Sequence, residues 1–172
     1  MIRGDQAKVS MAVDVTPDDA FRIFTEEIDR WWRRGLEYRV SGKNRGILHL
    51  EPRVGGRLFE SIETAKGTHV VESGTVLAWE PPSRLLLAWQ ISSQWVYDPA
   101  LLTELELTFS PAAGGGTLIT LEHRNLERFG RDAARHAERL NGGWPTKLDT
   151  FAAYADTGAT VSREAGCPTS SS

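Results

Sequence analysis

Cysteine is almost missing from this chain: of 172 residues only Cys167 is one. A lone thiol cannot close an internal disulfide, which removes the disulfide-stapled secreted scaffolds from consideration. Cys167 also has no helix or basic neighbour in sequence to lower its pKa, so it is a poor nucleophile. Long apolar runs are absent, and Met1-Ile2-Arg3-Gly4-Asp5 lacks the apolar core of a secretory signal. A cytoplasmic protein with no membrane span is therefore expected. Excess positive charge is missing as well: 20 Lys and Arg against 23 Asp and Glu leave −3, which gives no electrostatic reason to expect nucleic acid. The four histidines, His49, His69, His123 and His136, show no His-x-x-x-His spacing, and there is no Cys-x-x-Cys, so no metal is expected. No Gly-x-Ser-x-Gly elbow occurs, and Gly114-Gly115-Gly116 lacks the lysine and helix of a phosphate-cradling loop. Nothing points to a cofactor.

What is present is a chain long enough for one domain with a sizeable core and an internal cavity. It carries six tryptophans, a high count whose rings suit cores or apolar pockets. Val9, Met11, Val13 and Val15 alternate with Ser10, Ala12 and Asp14 as a half-buried strand does. Thr16-Pro17-Asp18-Asp19 reads as a helix start, with Thr16 as cap, proline in the first turn and acids behind it. Ala20, Phe21, Phe24 and Ile28 form the apolar face that follows, and Trp31-Trp32 closes the segment near a short second helix or turn over 26–32. From residue 39 to 124 the period changes to two, broken by glycine and proline, which predicts antiparallel strands over 47–51, 57–63, 69–79, 84–91, 101–109 and 117–124. Leu105, Leu107 and Phe109 oppose Glu104, Glu106 and Thr108, and Ile119, Leu121 and His123 oppose Thr120, Glu122 and Arg124. The sheet should thus have one dry and one wet face. Ala133, Ala137, Leu140, Trp144, Leu148, Phe151 and Ala155 then recur at steps of three and four, the stripe of a long helix that covers the dry face. Asn141-Gly142-Gly143-Trp144-Pro145 interrupts it, so one kinked helix and two helices both fit. Residues 157–172, small and polar, read as a flexible tail after a single domain over 1–156.

This order of elements is that of the α+β helix-grip, START-like fold: a curved antiparallel sheet of about seven strands wrapped around a long C-terminal helix, with two short helices after the first strand. Local patterns resemble one branch of it, the family of homologues of the activator of the heat-shock-protein-90 ATPase. They are Val13-Asp14-Val15-Thr16-Pro17 with Phe21 and Phe24, Trp31-Trp32, the run from Pro52 to Arg57, Gly74 to Pro82 with Arg84-Leu85 and Trp89, Gly116-Thr117 through His123, and Gly143-Trp144. The resemblance covers roughly residues 9–156 and implies a pocket between helix and sheet.

In such a pocket the candidate ligand-binding residues are Trp31, Trp32, Phe59, Trp89, Leu105, Leu107, Ile119, Leu121, His123, Leu140, Trp144 and Leu148. Each tryptophan also reads as plain core. His123, on the apolar strand face, is either a buried, hydrogen-bonded histidine or a polar anchor for a ligand. Glu60 and Glu72 would be perturbed acids if they point inward, and the alternation leaves that open because Phe59 and Val71 are apolar on the opposite faces. Three functions follow. The first is cofactor-free binding of a small apolar or aromatic molecule, with Trp31 and Trp32 at the mouth. The second is a cyclase or hydrolase acting on a polyketide-like substrate, with His123 and an inward carboxylate as acid and base. The third is a chaperone-linked interaction module, against which Glu104, Glu106, Glu122 and Arg124 on the outer face argue.

Overall fold

A computed structural model describes residues 6–32, 39–40 and 46–165, with side chains to residue 157. Cys167 and the last part of the expected tail lie outside the described residues. The first strand, β1, spans Ala7–Val13, two residues earlier than its alternation suggests. It ends there because Val15 and Thr16 turn the chain into helix α1, Pro17–Glu26, whose cap forms as read: Thr16 Oγ1 accepts from the Asp19 N–H at 3.3 Å. A one-turn helix α2, Ile28–Trp31, follows. Strands β2 (Ile47–Leu50), β3 (Arg57–Thr64), β4 (Gly67–Glu80), β5 (Arg84–Trp89), β6 (Thr103–Pro111) and β7 (Thr117–Arg124) complete one sheet. Neighbours run β1-β7-β6-β5-β4-β3-β2, every pair antiparallel.

The register shifts twice along β4. Leu58 pairs with Gly74 but Phe59 with Glu72, and Val76 pairs with Leu87 but Ala78 with Leu86, leaving Ser73 and Leu77 as extra residues. Such bulges bend a strand and raise its twist, which curls the sheet toward its dry face. Between them Gly74 is indispensable, since a Cβ there would lie 2.2 Å from the Ala88 carbonyl oxygen. That close approach seats β5 and its terminal Trp89 against β4.

After β7 the chain does not enter the long helix directly. Left-handed Asn125 (φ 63°) and Gly130 (φ 76°) fold residues Leu126–Asp132 into 3-10 turns that the sequence reading does not include. Helix α3 then runs unbroken over Ala133–Ala165 with Pro145 inside it, so the stripe belongs to one helix, and it continues past the residue where the tail was expected to begin. Ala137, Leu140, Trp144, Leu148, Phe151 and Ala155 are buried on the sheet. The C-terminal half of α3 is tied at two points: Asp156 Oδ1 accepts from the Asp14 N–H at 2.9 Å, and the Tyr154 hydroxyl donates to Glu27 at 2.8 Å. The wet face carries the expected charges as a ladder, Arg84 between Glu80 and Glu106, and Arg124 near Glu104, Glu106 and Glu122. Among the described residues no helix is long and apolar enough to cross a membrane.

Candidate functional site

The dry face and α3 meet over a continuous aromatic wall. Trp31 is fixed by its own segment, its indole N–H donating to the Phe24 carbonyl at 3.1 Å while its ring lies 4.7 Å from that of Phe24. Trp32 is held from behind by buried Arg39, which donates to the Trp32 carbonyl at 2.7 Å and to Asp29 Oδ1 at 2.8 Å. From there the rings pass across the molecule: Trp31 to Trp32 at 5.4 Å, Trp32 stacked on Trp89 at 6.1 Å, and Trp144 edge-on to both at 6.0 and 5.4 Å.

His123 is wholly buried (0% exposed) and its two ring nitrogens are both engaged. The Trp144 indole can only donate, so the 3.2 Å contact makes His123 Nδ1 the acceptor. Thr103 donates its hydroxyl hydrogen to the Trp89 carbonyl at 2.8 Å, so its oxygen accepts from His123 Nε2–H, also at 2.8 Å. The chain of bonds specifies the neutral Nε2–H tautomer. Burial, with smaller contributions from the nearby charges of His136 and Lys147, pushes the pKa of His123 down to about 3, in keeping with that assignment. A histidine so bound holds Trp144 in place. It has no free nitrogen for proton transfer.

Lys147, 5% exposed on the α3 face that packs down, brings an amine into this ring wall. Four indoles surround its Nζ, with centroids of Trp144, Trp32, Trp89 and Trp95 at 4.2, 5.1, 5.8 and 5.8 Å. No carboxylate or hydrogen-bond acceptor among the described residues partners it. Loss of hydration lowers its pKa from 10.5 to about 8. An amine of that kind is chemically versatile, a cation for an anionic ligand or, once deprotonated, a base or nucleophile. Trp95 reaches it from a tight loop turn in which its own backbone is left-handed, φ 61°, a conformation that bulky residues avoid. Nearby, buried His136 lies edge-on to Phe129 at 4.4 Å, and its Nδ1 has no partner among the described residues. Burial first, then the charges of Arg139 and Lys147, lowers its pKa.

A cavity opens beside Lys147, bounded by Phe24, Ile28, Trp31, Trp32, Leu87, Leu105, Leu107, Leu121, Trp144 and Leu148 as well. It leaves about 10 Å³ for the centre of a water molecule, room for roughly one water. The rings fill most of the space between helix and sheet.

A family model described as Activator of Hsp90 ATPase homolog 1-like protein matches residues 14–156. The chain belongs to this family. Among solved structures it is similar to Txn09, an anthrahydroquino-gamma-pyrone synthase, at 30% identity, with 88% of this chain and 98% of that one covered and a TM-score of 0.59. Protein MLL2253 from Mesorhizobium loti is 23% identical, with 88% and 97% covered and a TM-score of 0.61. CalU16 from Micromonospora echinospora is 22% identical, with 87% and 73% covered and a TM-score of 0.56. These last two show the fold. No curated protein matches.

Of the residues picked from sequence, Trp31, Trp32, Leu105, Leu107, Leu121, Trp144 and Leu148 border the cavity. Trp89, Ile119, His123 and Leu140 are buried on the same side, behind or beside it. Trp31 and Trp32 are interior rather than at a surface mouth. Phe59 is not brought to the site. It pairs with His49 and Glu72 on the wet face, where the His49 ring stacks at 4.8 Å and the Arg57 guanidinium at 4.5 Å covers the phenyl ring. The question of the two acids is also answered. Glu60 points inward, 1% exposed, with Oε1 accepting from the Val40 N–H at 3.1 Å and no partner for Oε2 among the described residues. Glu72 lies with Phe59 on the outer side, 3.6 Å from Arg57. Sequence reasoning missed Lys147 and Trp95. The signal for Lys147 was its place three residues after Trp144, inside the apolar stripe. Trp95, on a loop, gave none.

Proposed function

We propose that the protein binds a small, planar, apolar or aromatic molecule between α3 and the curled sheet. The observation that supports this reading is the wall of indoles from Trp31 to Trp144 around one cavity, a lining suited to stacking on a flat ring system. Trp31, Trp32, Trp89 and Trp144 give the ligand its faces, Leu105, Leu107, Leu121 and Leu148 its apolar floor, and His123 keeps Trp144 oriented. Because the rings nearly fill the space, binding separates them, and the tryptophan emission reports it. Titration with naphthalene-type probes should quench or shift that emission; a folded protein unaffected by every probe overturns the reading.

The 30% identity to a synthase favours a second reading, in which the bound molecule is a polyketide-like substrate that undergoes ring closure. Acid–base work would not fall to His123, whose nitrogens are both occupied. Incubation with a 1-(2-hydroxyaryl)-1,3-diketone, whose phenol oxygen can add to the far carbonyl and close a ring with loss of water, followed by mass spectrometry, tests it; recovery of unchanged diketone counts against catalysis.

A further inference from the structure

The charge balance of the cavity narrows the class of ligand, and this step rests on the binding reading above. Lys147 contributes a cation to an interior whose lining contains no carboxylate. Its charge reaches His123 on β7 and His136 on α3, both basic, both lowered chiefly by burial and to a smaller extent by Lys147. Four ring faces stand where water would hydrate the amine, and burial holds its pKa below the ordinary lysine value. On the same helix, His136 Nδ1 is a buried polar atom without a partner among the described residues. Trp95 is held in a left-handed backbone conformation at the edge of the cage. A largely buried ammonium that no carboxylate among the described residues pairs, set among indole faces, is complementary to a flat ring system that brings its own negative charge.

We propose that Lys147 is the counter-charge for an anionic oxygen on a planar aromatic ligand, a carboxylate or an ionised phenol, so that the cage of Trp32, Trp89, Trp95 and Trp144 selects aromatic anions over neutral aromatics of the same shape.

The test compares charged and neutral partners of equal size on the full chain at pH 7: 2-naphthoate against 2-naphthamide, and 2,4-dinitrophenolate against 2,4-dinitroanisole. Tryptophan emission reads the affinities. The anion of at least one pair should bind about tenfold or more tightly than its neutral counterpart, and the favoured pair identifies the oxygen group. In Lys147→Met that ratio should collapse to about one. Wild-type protein gives an independent reading that needs no variant: at pH 9, where much of the free amine is neutral, anion binding should take up close to one proton, measured by calorimetry in buffers of different ionisation enthalpy. Equal affinity for anion and neutral partner overturns this inference and leaves the binding reading standing. An anion preference that persists in Lys147→Met, or binding without proton uptake at pH 9, overturns it too. Failure of all four probes on folded protein overturns both.

Discussion

Lys147 and His123 both lose proton affinity on folding, so stability rises with pH through both groups, in separate windows. The amine loses proton affinity on folding, from 10.5 to about 8, which corresponds to a cost of about 3 kcal/mol while the folded state must carry the charge. The sign follows from proton counts. Between pH 8 and 10.5 the unfolded chain holds a proton that the folded chain has released, so stability rises with pH across that window, and the cost is full below it. Lys147→Met is expected to raise the unfolding free energy at pH 7 by up to about 3 kcal/mol, a gain that fades toward pH 10.5, as urea melts at each pH would show. His123 is depressed from 6.5 to about 3, so the unfolded chain takes up a proton as pH falls through 6.5 while the folded one does not. Stability is lost in that window, and His136, lowered in the same direction, adds to the slope. His123→Gln should flatten the fall between pH 6.5 and 3 while lowering stability at neutral pH, because the Trp144 and Thr103 partners are perturbed. Trp144→Ala removes a 2%-exposed ring and leaves His123 Nδ1 without its donor; a loss of about 3 to 5 kcal/mol in chemical unfolding is expected. Trp144 was legible from sequence because it falls on a periodic stripe. Lys147 was not, because a charged residue on a stripe looks like a gap in it, and only the surrounding rings show that it is inside.

Among the elements, those with repeated period were the ones the sequence disclosed. In β6 and β7 each strand alternates cleanly, and the opposite pairing of Leu107 with Leu121 and of Glu106 with Glu122 confirms one dry and one charged face. Helix α3 likewise follows its stripe from Ala137 to Ala155. The alternation fails on β3 and β4, where the extra residues at Ser73 and Leu77 shift the phase and the apolar ring of Phe59 is covered by His49 and Arg57 on the outside. The 3-10 turns after β7 escape detection because they are too short for a period. One element-level prediction concerns α3. At Gly142 an added Cβ would meet nothing within 4 Å, so Gly142→Ala should stabilise the protein by roughly 0.5 to 1 kcal/mol through helix propensity alone, seen as a higher melting temperature.

The whole molecule is a curled sheet closed by one helix, with charge on the outside and rings within. Its outer ladder contributes little to holding that form, since Arg84, Glu106 and Arg124 are partly exposed. Glu106→Gln is expected to cost no more than about 1 kcal/mol, a difference that should shrink in about 1 M salt. The helix is the stronger determinant of what the molecule can do in time. Its C-terminal half is tied to Asp14 and Glu27, whereas above the cavity it contains two glycines and a proline that leaves the Asn141 carbonyl without its usual intrahelical donor. On the binding reading proposed above, a ligand entering this nearly filled interior is expected to wait for that weakened segment to yield. In stopped-flow mixing, the observed rate should climb with ligand concentration and then level off at the opening rate of the helix. Gly142→Ala should lower the plateau, so that the substitution that makes the protein more stable also makes it slower to fill.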